Sequence, residues 1–207
     1  MFEDINELWI SDWEIGRLKR GILVVFQRLY GFGEWHLAPI NERPYAQYVV
    51  RSINTMISDG IIRGNIVEVG CGVGEIIGNI RAKKINKHGY DIERRQVNCA
   101  RLLHPFTAFD QGSFLDVKER KIDILICINL IHLIPYVEMK EYINGLLENS
   151  EIKFILIDTF RNSSYYRYSH DIGELFGDEY RLVRRKGIRA AYGERRIIEL
   201  WEKKESI

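Results

Sequence analysis

The sequence predicts an α/β fold with a mostly parallel sheet covered by helices on both faces. Three observations carry this expectation. From residue 65 onward, short apolar segments rich in β-branched residues alternate with helical segments, as in strands joined by helical crossovers. The run Ile66-Val67-Glu68-Val69-Gly70-Cys71-Gly72-Val73-Gly74-Glu75 leads an apolar strand into a bend with glycine at three alternate positions. The tail holds two further strand-like segments, residues 180–185 and 196–201, with no long crossover between them. Two such strands form a hairpin, so one antiparallel strand joins an otherwise parallel sheet.

Residues 1–60 read as a helical extension, with residues 61–207 as the core domain. Within the extension, residues 5–13 and 15–30 are helical in pattern, the second with Leu18, Ile22, Val25, Phe26 and Leu29 on one face. Gly31-Phe32-Gly33-Glu34-Trp35-His36 breaks that pattern, and Pro39 and Pro44 bracket an irregular stretch. A helix follows to about Ser58, with Pro44 suited to its first turn, and Asp59-Gly60 ends it. In the core, residues 66–69 form a strand and 74–83 a helix weakened by Gly78. Residues 86–92 hold the second strand, 93–103 a helix stopped near Pro105, and 106–109 a third short strand. Residues 122–127 and 153–157 are apolar enough for central parallel strands, and 136–147 form the helix between them. The last two strands turn near Tyr192-Gly193-Glu194.

Composition narrows the class. The chain has 207 residues, 46% hydrophobic and 29% charged, with a formal net charge of +1, as expected of an ordinary globular domain. So even a balance gives no general pull toward nucleic acid or an anionic membrane. No run of about 18 apolar residues predicts a membrane span, and the acidic opening MFEDINELWISDWE does not read as a secretory leader. Cys71, Cys99 and Cys127 are odd in number and widely spaced, which fits neither a disulfide framework nor a thiolate metal cluster. The expectation is a cytoplasmic protein without a metal, as a monomer or homodimer.

The glycine bend carries the chemistry. Gly70, Gly72 and Gly74 permit backbone geometry and close ligand approach that side chains would block, and a helix N-terminus behind them would favour an electron-rich group. The spacing departs from the dinucleotide fingerprint, which wants its third glycine where Glu75 stands. A carboxylate there would sit badly beside a pyrophosphate. Glu68 lies inside the strand, where a charge needs a partner. Asp91 ends the second strand about 20 residues beyond the bend, the place of an acid that holds ribose hydroxyls.

These residues resemble the class I S-adenosylmethionine-dependent methyltransferase family. VEVGCGVGE is similar to that family's cofactor loop and GYDIE, residues 89–93, to its second motif. The resemblance covers roughly residues 45–202. It implies a Rossmann-like three-layer sandwich with a seven-stranded, mostly parallel sheet and an antiparallel last strand, preceded by the helical extension. It also implies S-adenosyl-L-methionine as cofactor, with Glu68, Gly70, Cys71, Gly72 and Gly74 along its amino-acid part, Asp91 on the ribose and Ile92 against the adenine. The family often places an acid near the adenine amino group; Ser113 stands there instead, with Phe114 as an apolar wall and Asp110 or Asp116 as substitutes if the register shifts. Asn129 and Leu130 line the cofactor beside its reactive methyl.

On the acceptor side, two readings of His132 stay open: a base facing the acceptor, or a packed histidine. The segment containing His36, Arg43 and Tyr45 either folds over the cleft, with His36 as a base and Tyr45 orienting the acceptor, or anchors the extension to the sheet. Tyr165, Tyr166, Tyr168 and His170 also fall on the reactive edge. Arg181, Arg184, Arg185, Lys186 and Arg189 read mainly as a solvated face. The tetrapeptides that grip a base or glutamine amide in related enzymes are absent, which removes support for nucleic-acid substrates. The expected activity is therefore methyl transfer to a small or medium-sized acceptor, possibly at a hydroxyl. The competing accounts are a degenerate methyltransferase-like binding or scaffold protein, a nicotinamide-dependent oxidoreductase and an RNA methyltransferase.

Overall fold

A computed structural model describes residues 20–33, 36, 38–82, 84–161, 166–189 and 195–205. In chain order it contains helical residues 20–30 (α1), α2 (Pro44–Ser58), β1 (Ile66–Val69), β2 (Lys87–Asp91), α3 (Arg94–Leu103) and β3 (Ala108–Gln111). Then come β4 (Lys121–Cys127), α4 (Tyr136–Asn149), β5 (Glu151–Arg161), α5 (Ile172–Phe176), β6 (Tyr180–Arg189) and β7 (Arg195–Lys203). The seven strands lie in the order β3-β2-β1-β4-β5-β7-β6. The pairs β1–β2, β1–β4, β2–β3 and β4–β5 are parallel, while β7 is antiparallel to both β5 and β6. This is the Rossmann-like sandwich with an inserted antiparallel last strand that the sequence predicts.

Two cores hold the layers together. On one face α2 and α3 pack against Ile66, Ile124, Ile126, Leu156, Ile198 and Leu200. On the other, α4 and α5 pack against Val67, Val69, Leu125, Cys127, Ile155 and Ile157. Alternate residues of each strand feed opposite cores, as the two-residue period of a pleated strand requires. In α2 the buried stripe is Ala46, Val49, Val50, Ile53 and Met56, the helical spacing of three and four. Burying a side chain such as Val49, Ile53 or Met56 contributes roughly 1.5–3 kcal/mol, so packing on the sheet holds α2 in place more than intrinsic propensity does. Pro44 occupies its first turn, and Gly60 leaves it with φ 70°.

Three expectations need correction. Residues 74–83 are not an α-helix: turns lead into one short 3-10 turn, Ile77–Asn79, and then extended chain. Its backbone groups are claimed from outside. Glu68 Oε2 accepts the Ile77 N–H, Asn54 Oδ1 accepts the Arg81 N–H, Lys87 Nζ donates to Ile80 O, and Asn79 Nδ2 donates to Glu75 O. Gly78 lies tight under the His104 ring. With its donors and acceptors so engaged, the segment has no i→i−4 ladder to build. The third strand is shifted two residues C-terminal, leaving Phe106 92% exposed. Asp110 and Gln111 are tolerated in it because β3 is a sheet edge, and Arg101 fastens it by donating to Phe109 O at 2.6 and 2.8 Å. Finally, α1 buries Leu23, with Phe26 and Tyr30, against Phe32, Val73 and Cys99. Ile22, Val25 and Leu29 of the expected face are exposed. The expected helix over residues 5–13, Leu18, Tyr165 and the turn at 192–194 lie outside the described residues.

Candidate active site

The strand order reverses between β1 and β4, and open α/β sheets place ligands beyond the carboxyl ends of the strands at such a switch. The glycine bend leaves β1 there. Gly70, Gly72 and Gly74 have φ of 75°, 55° and 80°, a left-handed conformation that strains residues with a side chain. The bend is tied to β2: Gly70 N and Cys71 N both donate to Tyr90 O at 2.8 and 3.0 Å, and Gly72 N donates to Asp91 Oδ2 at 2.7 Å. Space above the glycines is narrow. A Cβ on Gly70 would lie 2.9 Å from Leu130, and one on Gly72 would lie 2.8 Å from His36 Cε1. The segment before α2 and the segment after β4 thus close on the bend from two sides.

Carboxylates gather beneath it. Glu68, Glu75 and Asp91 are all buried. Burial pushes the Glu68 carboxyl up to about 8; the Ile77 amide opposes this, and the charges of Asp91 and Glu75 add to it. Asp91 is also raised by burial, against the hydrogen bonds from Glu93 N and Gly72 N. Cys71 is pushed up by burial and by Glu68, so it is a neutral thiol. All three cysteines are buried and free.

Glu68 has a consequence for stability. Its folded-state value of about 8 lies above its ordinary 4.5, so between these pH values the folded protein holds a proton that the unfolded chain has lost. That contribution is complete below about pH 4.5 and disappears as the pH rises toward 8. Glu68→Gln, which is neutral throughout, should therefore narrow the difference in urea midpoint between pH 5 and pH 8. An unchanged difference would mean that Glu68 is ionised in the folded protein.

The remaining cofactor-side residues divide. Ile92 is 67% exposed beside Asp91, and Gln111 Nε2 donates to its carbonyl. Ser113 caps the 3-10 turn Phe114–Asp116: its hydroxyl accepts from Leu115 N and donates to Asp116 Oδ2, which also accepts from Ser113 N. Phe114, expected as an apolar wall, instead lies buried in the core, stacked on Tyr142. The alternative acid Asp110 is taken up by Lys118 and Arg101.

Opposite the bend, β4 leads into Asn129, a non-glycine residue with φ 63°. Two partners from other strands hold it. Asn129 N donates to Asp158 Oδ1 at 2.8 Å, and its Oδ1 accepts from Arg196 Nη2 at 2.9 Å. Arg196 Nη1 closes the triangle on Asp158 Oδ2 at 2.6 Å. Asp158 is fully buried and Arg196 5% exposed. Tyr45 and Phe160 sandwich the guanidinium, with centroids 3.8 and 4.4 Å from its carbon. His132 packs edge-on against Phe160 and lies 3.9 Å, centroid to centroid, from Tyr166. Burial, then Arg196 and His170, bring the His132 imidazole down to about 4. Burial and Arg43 do the same for His36, which lies against Phe32. Both rings are uncharged at neutral pH.

Tyr45, Asn129, His132 and Tyr166 therefore meet at one edge, and His36 and Leu130 meet the glycine bend. His170 donates or accepts at Ile131 O through Nε2, and Tyr168 N donates to His132 O, so both brace the turn that carries His132. Arg181 and Arg185 pair with Glu202 and Glu199 on an exposed face. Asp158 and Arg196 were not singled out in the sequence. Their one signal is polarity out of place: an aspartate ending the apolar run Phe154–Ile157, and an arginine opening Ile197–Leu200.

No known family's sequence profile matches the chain, and no curated protein matches it in sequence. Solved structures do match. The N-methyltransferase NodS from Bradyrhizobium japonicum WM9, in complex with S-adenosyl-L-homocysteine, superposes with TM-score 0.69 over 89% of this chain and 99% of that one, at 13% identity. Magnesium protoporphyrin IX methyltransferase (ChlM) from Synechocystis PCC 6803, with the same molecule bound, gives TM-score 0.66 over 86% and 92%, at 16% identity. An S-adenosylmethionine-dependent methyltransferase from Clostridium acetobutylicum ATCC 824 gives 0.61 over 80% and 94%, at 12% identity. The chain has the fold of the class I S-adenosylmethionine-dependent methyltransferases.

Proposed function

We propose that the protein binds S-adenosyl-L-methionine at the glycine bend and transfers its methyl group to a small or medium-sized acceptor. The observation that carries this is the trio of buried carboxylates, Glu68, Glu75 and Asp91, around a left-handed glycine bend. Three acids crowded out of water suit a ligand that brings positive charge, as a sulfonium and an ammonium do, and they repel the pyrophosphate of a dinucleotide. Asp91 has room for ribose hydroxyls: each oxygen accepts one backbone N–H and keeps a second acceptor position. In this reading Gly70, Cys71, Gly72 and Gly74 pass under the amino-acid part, and Ile92 and Ser113 border the adenine. Leu130 and Asn129 stand beside the reactive methyl.

Bound S-adenosylmethionine supplies an already activated methyl group, so the chain must mainly align the nucleophile and exclude water. The segment before residue 61 forms the cover, with His36 on Gly72 and Tyr45 on Arg196. Tyr45 and His132 border the acceptor. An imidazole held near 4, as at His132 and His36, is a weak base; the positioning of the acceptor matters more than proton removal. The structural neighbours crystallised with S-adenosylmethionine or its product support the same cofactor.

Isothermal titration should show selective binding of S-adenosylmethionine over NAD. At pH 7 that binding should also release protons, seen as a heat that varies with the buffer, because a cationic ligand lowers the raised carboxyl of Glu68. Tight, selective NAD binding would overturn the proposal. The close approach of His36 and Leu130 to the glycines favours a second reading, a binding protein without transfer. Cofactor binding with no methyl transfer across a broad acceptor panel would establish it.

A further inference from the structure

Arg196 is buried, and its guanidinium has three edges. Nη1 is taken by Asp158 and Nη2 by Asn129, while Tyr45 and Phe160 cover its two faces. The third edge, Nε–H, is buried without a hydrogen-bond partner among the described residues, and His132 Nδ1 is in the same condition. Both side chains border the Phe160 ring, on the reactive edge opposite the glycine bend. Buried donors are rarely left unpaired unless a ligand completes them. Arginine has no acceptor atom, so whatever satisfies Nε must bring an acceptor.

We propose that the methyl acceptor is an aromatic carboxylate, whose oxygen accepts from Arg196 Nε and His132 Nδ1 while its ring lies among Tyr45, Phe160 and Tyr166. This rests on the methyl-transfer reading above. The chemistry separates three acceptor classes. An amine attacks through its only lone pair, which Nε–H would occupy, and a protonated amine is repelled by the guanidinium. A hydroxyl must shed a proton, and the neighbouring imidazole, depressed to about 4, is a poor recipient. A carboxylate arrives ionised. One of its oxygen lone pairs forms the O–CH3 bond as the S–CH3 bond breaks, and the bonding pair stays on sulfur. The carboxylate becomes a neutral ester, the sulfonium a neutral thioether, and no proton moves. Charge is balanced as well: Arg196 and Asp158 already neutralise each other, so the incoming anion is matched by the sulfonium it meets. Admission requires the rings of Tyr45 and Tyr166 to part.

The test is a thermal-shift and calorimetric series on the full chain saturated with S-adenosyl-L-homocysteine, titrated with benzoate, phenol and benzylamine. Benzoate alone should raise the melting temperature. Arg196→Lys retains a cation for Asp158 but has no Nε–H, and should weaken benzoate by about 10- to 100-fold, the range of a charge-assisted hydrogen bond. His132→Phe, which keeps the packing, should weaken it less. With a labelled methyl donor and an extract of small carboxylic acids, the product label should be released as methanol by mild alkali, as an ester requires. Equal or better binding of phenol or benzylamine, no benzoate shift, an unaffected Arg196→Lys variant or an alkali-stable product would each overturn the proposal. Failure to bind S-adenosyl-L-homocysteine at all would overturn the methyl-transfer reading beneath it, whereas binding it without a preference for benzoate removes only this inference.

Discussion

Arg196→Ala is expected to be the most damaging single substitution, lowering folding stability by about 3–5 kcal/mol. Asp158 is fully buried, and Arg196 is the only cation bonded to it among the described residues. Removing the guanidinium leaves a carboxylate with a single backbone donor, Asn129 N, in a dry environment. It also removes the bond to Asn129 Oδ1 that steadies a left-handed backbone, and it empties the space between Tyr45 and Phe160. Three elements loosen together: the turn after β4, the end of β5 and the cover before α2. The double variant Arg196→Ala with Asp158→Ala should recover a substantial part of the loss, since the penalty comes mainly from the abandoned charge. Urea denaturation of the four proteins of this cycle measures it. A single-variant loss below about 1 kcal/mol, the range of an exposed pair, would show that the pair is solvated in solution.

Asp91→Ala is expected to abolish most cofactor affinity. In the proposed site its two oxygens face the ribose hydroxyls while holding Gly72 N and Glu93 N. Hydrogen bonds to a charged group contribute about 1.5–3 kcal/mol each, so losing two weakens binding by roughly 100-fold or more. Release of Gly72 N adds to the effect by freeing a bend whose glycines depend on their tethers to β2. Asp91→Asn keeps the shape and one acceptor, and should fall between the two. Titration with S-adenosyl-L-homocysteine reads all three proteins. Unchanged affinity in Asp91→Ala would show that the ribose lies elsewhere.

The strands were legible because their signal is local: β-branched runs such as Ile122–Cys127 have no other economical home than a doubly covered sheet. The glycine bend was legible because left-handed backbone leaves a compositional trace at Gly70, Gly72 and Gly74. The helix expected at 74–83 failed for a nonlocal reason, since its backbone groups are captured by Glu68, Asn54 and Lys87. The face of α1 failed because two apolar stripes share the helical period, Ile22-Val25-Leu29 and Leu23-Phe26-Tyr30. Nothing within the helix decides between them; contact with Val73 and Cys99 does. Phe114 was expected at the adenine because its neighbours in sequence pointed there, yet α4 offered it the Tyr142 ring.

By itself the sequence determined the alternation of strands and helices, the closing hairpin, the glycine bend and the placing of an acid at the end of β2. These follow from periodicity, backbone conformation and spacing within a few tens of residues. Only the tertiary structure decided that Asp158 and Arg196, 38 residues apart, would meet at Asn129, and that His36 and Leu130 would close on the bend. A buried ion pair needs both partners to be desolvated by the same packing. That condition belongs to the assembled sheet, where antiparallel β7 brings Arg196 beside Phe160 at the end of β5, and no local pattern of residues carries it.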